Sequence, residues 1–404
     1  MQFVVKYSFG LLLILMWLVS CNKEDCKDEF LTNRTVIVYM AAENDLTDDA
    51  YTDIEEMQSG YVEKGANLVV FIDPADEAPH ILKIGRGSST MVKTYPEFNS
   101  ADAEQMERIL NDIIEMYPAA SYGLVLWSHG TSWLPAGSRL KSFGNDNGSR
   151  MDITPLAASL PVRFNFILMD ACLMGSVEVA YELRNKTDFI LASSTETIYL
   201  GFPYERIIPE LLRTEPDLRK AAASYFNYYD KMSGTYRSAT ITLIDTKELD
   251  RLAPVTAQLI ADRVFDAGTF DRTSVQRLDV YNEQYAFDFL DFLKKAFPDA
   301  DTEPLKEQLS KAVLYKAHTP RFIEEYDICT YCGLSCYIPH PQRGDLNTYY
   351  RQLDWCRNSG FYRLFQNTAI QMYNMPKNDY RMSEEPQNNE TRQGETPNGA
   401  TLPP

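Results

Sequence analysis

Basic side chains are in short supply. Lysine and arginine number 39 against 57 aspartates and glutamates, a net charge of −18 with histidine neutral. With no basic run and no interleaving of basic and aromatic residues, the surface field repels phosphate backbones, which argues against nucleic acid as a partner. A membrane-length apolar run is also missing: residues 9–19, as a helix rising ~1.5 Å per residue, reach about half of a ~30 Å hydrocarbon core. There is no internal repeat and no G-x-G-x-x-G, Walker loop, H-E-x-x-H or G-x-S-x-G, so dinucleotide, nucleotide, zincin and serine-hydrolase chemistry lose their simplest support. What is present is 404 residues, 45% of them hydrophobic, enough for a large core. That length suits two or three domains, or one large α/β domain with additions.

The short apolar run follows Lys6 and ends in Leu18-Val19-Ser20-Cys21, the order of a secretory signal. It resembles the bacterial lipobox, which implies signal peptide 1–20, a diacylglycerol on Cys21 and a membrane-anchored protein. Asn22-Lys23-Glu24-Asp25 resembles a signal for surface display of outer-membrane lipoproteins. Residues 21–34 read as a polar tether.

Export permits disulfides. Cys329, Cys332, Cys336 and Cys356 form C-x2-C-x3-C with a distant fourth member, a spacing that invites zinc. The alternating apolar run around Cys336 fits better with a core-facing strand in which cysteine acts as a small hydrophobe. A disulfide within the group stays open.

Short apolar runs at 35–40, 67–72, 123–128, 164–169, 189–193 and 239–244 alternate with amphipathic stretches such as 48–64 and 101–117. Nearly continuous apolar strands are buried on both faces, so the pattern predicts a parallel sheet flanked by helices, an α/β fold. Beyond 244 the periodicity predicts helices over 247–267, 275–297 and 302–317. From 375 to 404 the composition reads as a disordered tail.

Two of the strands end in reactive residues. One runs Leu124-Val125-Leu126-Trp127-Ser128-His129-Gly130, the other Phe166-Ile167-Leu168-Met169-Asp170-Ala171-Cys172. In an open parallel sheet, sites gather beyond the carboxyl ends of strands. If these strands are neighbours, His129 and Cys172 face one substrate. A thiolate is a strong nucleophile, and an imidazole can promote its formation and protonate a leaving amine. Gly130 leaves room for substrate, and its N–H with that of Cys172 is a candidate oxyanion hole. A helix over 173–183 is expected to aim its positive end at the thiolate.

An apolar block before His-Gly and another before Ala-Cys resemble the clan of caspases, legumain, gingipains and clostripain. The similarity is greatest to the clostripain-like cysteine peptidases, through Val36-Ile37-Val38-Tyr39-Met40-Ala41-Ala42-Glu43-Asn44-Asp45-Leu46, Asp170 to Glu178, Ala192 to Glu196 and Gly201-Phe202-Pro203-Tyr204. It covers roughly residues 35–372. The resemblance implies a caspase-like αβα sandwich over 35–246, a C-terminal subdomain over 247–374, and a His129–Cys172 dyad with endopeptidase activity. It also implies cleavage after arginine or lysine. Asp170 matches the family's pocket acid; the alternative is a carboxylate that caps the next helix. Glu196 and Glu205 are candidates for a second acid.

Members of the family are commonly activated by a cut in the region matching 131–150, which makes Arg139 and Lys141 candidates for self-cleavage, unless that stretch is an ordinary solvated loop. No cofactor is expected. Part of the family depends on calcium, but no D-x-D-x-D-G loop is present and Asn145-Asp146-Asn147-Gly148 is shorter. His80, His318 and His340 read as packing or surface residues. The expected partners are proteins or peptides rich in basic residues. The competing reading is a non-catalytic surface lipoprotein that binds peptide or glycan on the same fold.

Overall fold

The computed structural model describes residues 32–62, 65–135 and 143–365. Strands β1 (Arg34–Ala42), β2 (Ala66–Pro74), β3 (His80–Gly85), β4 (Ser88–Thr94) and β5 (Tyr122–Trp127) come first. A small ribbon, β6 (Phe143–Asp146) and β7 (Ser149–Met151), follows, then β8 (Phe164–Asp170), β9 (Thr187–Ala192), β10 (Thr240–Asp245), the two-residue β11 (Phe287–Asp288) and β12 (Val313–His318). Nine of them form one sheet in the order β12-β10-β9-β8-β5-β1-β2-β3-β4. Its centre, β2, β1, β5, β8 and β9, is parallel, and both edges are antiparallel.

The alternation within β1 shows why the sheet has helices on both sides. Ile37, Tyr39 and Ala41 belong to one core, while Val36, Val38, Met40 and Ala42 belong to the other, all fully buried. Helices Thr47–Gly60, Tyr204–Leu211 and Leu218–Asp230 cover the second face; Ala103–Met116, Ile153–Ser159, Val177–Leu183 and Leu249–Ile260 cover the first. The result is an αβα sandwich.

The six strands expected from the apolar runs are all present. Four helical expectations change; over 247–267, only Leu249–Ile260 is α-helix. Over 302–317, only Glu303–Ala312 is helix; Val313–His318 is strand β12, which extends the sheet beside β10. Over 275–297, only Phe289–Ala296 is helix, because the Asp279 carboxylate accepts the backbone N–H groups of Tyr281 and Tyr285 and folds the chain into a loop. After Cys172 the helix waits until Val177, with the Ser176 hydroxyl accepting the Val179 N–H at its start. That cap also removes the reading of Asp170 as a helix cap.

The five described cysteines are free thiols, with Cys332, Cys336 and Cys356 buried and Cys329 exposed. Cys336 faces the core in the short strand Ser335–Cys336, as the alternation predicts. His80 is buried in β3, its Nδ1 2.8 Å from the Ala78 carbonyl, and the His318 Nδ1 lies 3.0 Å from that of Thr319. The signal segment with Cys21, the tail, Arg139 and Lys141 lie outside the described residues. No described helix is long and apolar enough to cross a membrane.

Candidate active site

Strands β5 and β8 are parallel neighbours whose last paired position joins Trp127 to Asp170. His129 and Cys172 each stand two residues beyond that position, so the register delivers them to the same edge. Both line a cavity of about 180 Å³, with Leu46, Trp127, Ser128, Asp170, Ala171, Thr197, Ile198, Tyr199 and Gly201.

The segment after β8 is held by the chain that follows β9. Leu173 N–H donates to the Thr195 carbonyl at 2.9 Å and Gly175 N–H to that of Ser193 at 2.6 Å. Between them Leu173 takes φ +66°, a left-handed conformation costly for a side chain of its type. Its burial against Leu278, Ala286 and Phe322 offsets that cost. The missing side chain of Gly130 has a different use from the one expected. A Cβ there would sit 2.8 Å from the Ala171 Cβ and 2.9 Å from the Cys172 carbonyl oxygen, so glycine makes room for the segment that carries Cys172.

The Cys172 sulfur accepts the Thr197 N–H at 3.3 Å. Cys172 is half-buried at the cavity wall; burial pushes its thiol up to about 12, and the charges of Glu196 and Asp170 add to the rise. The helix that was expected to lower it begins at Val177 instead. His129 is turned toward Asp45, Nε2 to Oδ1 at 2.8 Å. With the Asp45 side chain 80% exposed, that pair orients the ring more than it stabilises the fold.

Two buried carboxyls stand at this end of the site: Asp170 lines the cavity, and Asp53 lies next to it at Gly201. Asp170, 5% exposed, accepts the Phe202 N–H at 3.1 Å and the Tyr204 hydroxyl at 2.8 Å. Asp53, also 5% exposed, accepts the Trp127 indole N–H at 2.7 Å. A Cβ on Gly201 would lie 3.0 Å from the Asp170 Oδ2 and 3.3 Å from the Asp53 Oδ2, so both carboxyls converge on a position that glycine leaves open. Burial first, and for Asp53 the charge of Asp170 next, holds both above the ordinary carboxylate range. Among the described residues, no basic group forms an ion pair with either.

Neither expected second acid lines this cavity. Glu196 turns the other way and its Oε1 accepts the Val280 N–H at 3.0 Å; Glu205 is exposed and pairs with Arg206. Asp53 was not foreseen. Its one signal in the sequence is a carboxylate on the helical face Ala50, Asp53, Ile54, Met57, which is otherwise apolar and buried.

Thiol and imidazole on adjoining parallel strand ends, under an αβα sandwich, define a cysteine peptidase of the caspase-like class. Comparison with known proteins narrows this. A sequence profile described as the clostripain family matches residues 38–342, and the chain belongs to that family. The clostripain of Hathewaya histolytica is 26% identical over 224 residues, 44% of this chain and 42% of that protein, so less than half of that relative's length is matched. An inactive zymogen protease from Parabacteroides distasonis is 31% identical with a TM-score of 0.72, covering 81% of this chain and 98% of its own. A secreted cysteine protease from Bacteroides thetaiotaomicron, iotapain, is 26% identical with a TM-score of 0.74, over 81% and 99% of the two chains. A secreted cysteine protease from the same organism, solved with an irreversible peptide inhibitor, is 28% identical with a TM-score of 0.72, again over 81% and 99%.

Proposed function

We propose that this protein is a lipid-anchored endopeptidase that cleaves after arginine or lysine, with Cys172 as nucleophile and His129 as general acid and base. The observation that carries the reading is the convergence of both residues on one cavity lined by the buried Asp170, with a second buried carboxyl, Asp53, beside it at Gly201. A cationic side chain entering beside Gly201 meets both, and its charge replaces the protons they otherwise retain. The P1 carbonyl is then presented to Cys172.

His129 takes the thiol proton, and the thiolate adds to the carbonyl carbon. The Gly130 and Cys172 N–H groups are the proposed donors to the resulting oxyanion. As the C–N bond breaks, the imidazolium gives its proton to the leaving amine and an acyl-thioester remains. Water, deprotonated by His129, hydrolyses that thioester and returns the thiol. Asp45, bonded to Nε2, is a positioning residue that leaves Nδ1 for these transfers.

The likeness to an inactive zymogen supports a second element of the reading, that the intact chain is held inactive and a cut after Arg139 or Lys141 activates it. The anchor at Cys21 and surface display rest on the lipobox-like sequence. The test is hydrolysis of an arginine-terminated fluorogenic peptide by the soluble form lacking residues 1–21, beside Cys172→Ala and His129→Ala. Loss of turnover in both variants is expected. Equal activity in all three removes the catalytic assignment and favours a binding lipoprotein.

A further inference from the structure

Strands β9 and β10 pair as far as Ala192 and Thr242, and there the backbone of Ser193, Ser194 and Thr195 leaves the ladder. All three residues are fully buried, so their N–H groups still need acceptors. One side chain takes over where the ladder stops. The hydroxyl of Thr240, fully buried at the start of β10, accepts the Ser194 N–H at 3.0 Å and the Thr195 N–H at 3.1 Å. It also lies 3.0 Å from the Ser193 Oγ and 3.1 Å from the Thr195 Oγ1. A hydroxyl can accept twice and donate once, so these neighbours occupy all of its capacity.

The strap that Thr240 holds, residues 193–197, in turn holds the turn that carries Cys172. The Ser193 and Thr195 carbonyls accept the Gly175 and Leu173 N–H groups, and the Ser194 hydroxyl donates to the Gly175 carbonyl at 2.7 Å. Thr197 donates its hydroxyl to the Ala171 carbonyl at 3.4 Å and its N–H to the Cys172 sulfur. Ala171, Cys172, Leu173 and Gly175 are thus each bonded to the strap. With Leu173 kept in a left-handed conformation, the turn is one that relaxes when its partners move.

We infer that Thr240 is a positioning residue of the peptidase, which fixes the Cys172 turn through the strap. It neither lines the cavity nor touches the sulfur. The inference rests on the reading of Cys172 as nucleophile. Its physical basis is the two N–H groups that a single oxygen accepts: without that oxygen they are buried and unpaired unless the strap shifts, and the turn follows the strap. A displacement of ~1 Å at a reacting atom can cost on the order of 100-fold in rate. Asp170 is held by Phe202 and Tyr204 and not by the strap, so binding of the substrate side chain is expected to survive.

The same strand provides a control. Thr242 lies two residues along, on the same face and fully buried, and its hydroxyl has no hydrogen-bond partner among the described residues.

The test compares Thr240→Val, Thr240→Ser and Thr242→Val in the soluble form, well below the lowest melting midpoint of the set. Kinetics with the arginine-terminated reporter are read beside hydrogen exchange of peptides spanning 171–177. Thr240→Val is expected to lose on the order of tenfold or more in kcat with KM within about twofold of the parent, and to exchange the Leu173 and Gly175 amides faster. Thr240→Ser, which keeps the oxygen, should restore both, and Thr242→Val should match the parent. Should Thr240→Val not fold, Ser194→Ala, which cuts the bond from strap to Gly175 and leaves Thr240 in place, is expected to show the same pattern more weakly. An inactive parent strikes the dyad reading alone, because exchange still decides the inference. Unchanged exchange in Thr240→Val, or in Ser194→Ala where that variant stands in for it, overturns the inference. So does an unchanged kcat beside an active parent, or a loss in Thr242→Val as large as that in Thr240→Val.

Discussion

Asp53 offers the sharpest test of how the cavity reads a basic side chain. Replacing it with asparagine keeps the shape and an oxygen to accept the Trp127 N–H, but removes one of the two charges that face the opening beside Gly201. At an effective dielectric near 20, a carboxylate about 4 Å from a cation contributes roughly 4 kcal/mol before desolvation. Allowing half of that for the cost of stripping water leaves about 2 kcal/mol, on the order of 30-fold in kcat/KM.

Asp53→Asn is therefore expected to lower kcat/KM for arginine- and lysine-terminated reporters by on the order of 30-fold, mainly through KM, while a norleucine-terminated reporter changes little. The denaturation midpoint at neutral pH should not fall, because the variant removes a charge that burial disfavours in the fold. Steady-state kinetics on the activated enzyme with the three reporters, beside Asp170→Asn, makes the measurement. If Asp53→Asn leaves kcat/KM for arginine within twofold of the parent, only Asp170 reads the substrate and the reasoning fails.

Gly130→Ala is expected to fold with a loss of about 1–3 kcal/mol, because its Cβ meets Ala171 and the Cys172 carbonyl, and to lose more than about tenfold in kcat. A variant with normal kcat would show that the nucleophile segment tolerates displacement. In an uncut Arg139→Ala, Lys141→Ala chain, burial of Cys172 predicts slow alkylation by iodoacetamide at pH 7, read at Cys172 by peptide mass. Fast alkylation of the uncut chain removes the case for a closed zymogen.

The pH dependence of stability has a definite sign. Burial holds Glu178 and Glu196 up to about 7 and Asp279 up to about 6, so between roughly pH 4.5 and 7 the folded chain keeps protons that the unfolded chain releases. Stability contributed by these groups is complete at low pH and is lost as pH rises, up to about 3 kcal/mol for each glutamate. Asp45, Asp112 and Asp345, held low at the surface, act in the opposite direction and are screened. The urea midpoint of Cys172→Ala should thus be lower at pH 8 than at pH 5, and a rise would refute the assignment.

The centre of the sheet was legible because a strand buried on both faces must be almost wholly apolar, and Val36 to Ala42 or Phe166 to Met169 offer little else. Its edges were not. Ser88–Thr94 is exposed and mostly polar, which hides a strand from any search for apolar runs. Val313–His318 continues the residue spacing of the helix before it, and only pairing with β10 makes it a strand. The meeting of His129 and Cys172 at one edge of the sheet was legible because two apolar runs stop just before them and those runs pair in parallel. Asp53 was not, since its role depends on a helix crossing behind Trp127. The geometry of Leu173 was hidden for a related reason: its left-handed turn is imposed by contacts with residues 193–197, some twenty positions along the chain.

Asp170 and Cys172 share one short piece of backbone, and this makes the end of β8 a ruler. Two residues of chain span at most ~7 Å, so in the proposed reading the distance from the carboxylate that anchors a side chain to the sulfur that meets its carbonyl is bounded by the short backbone between the end of β8 and the turn at Cys172. A side chain whose positive end is too near or too far presents its carbonyl out of reach even when it binds. Selection for length then comes at no extra structural cost, and in that reading an insertion between these two residues would uncouple recognition from cleavage as well as disturb the packing of Ala171 against Gly130.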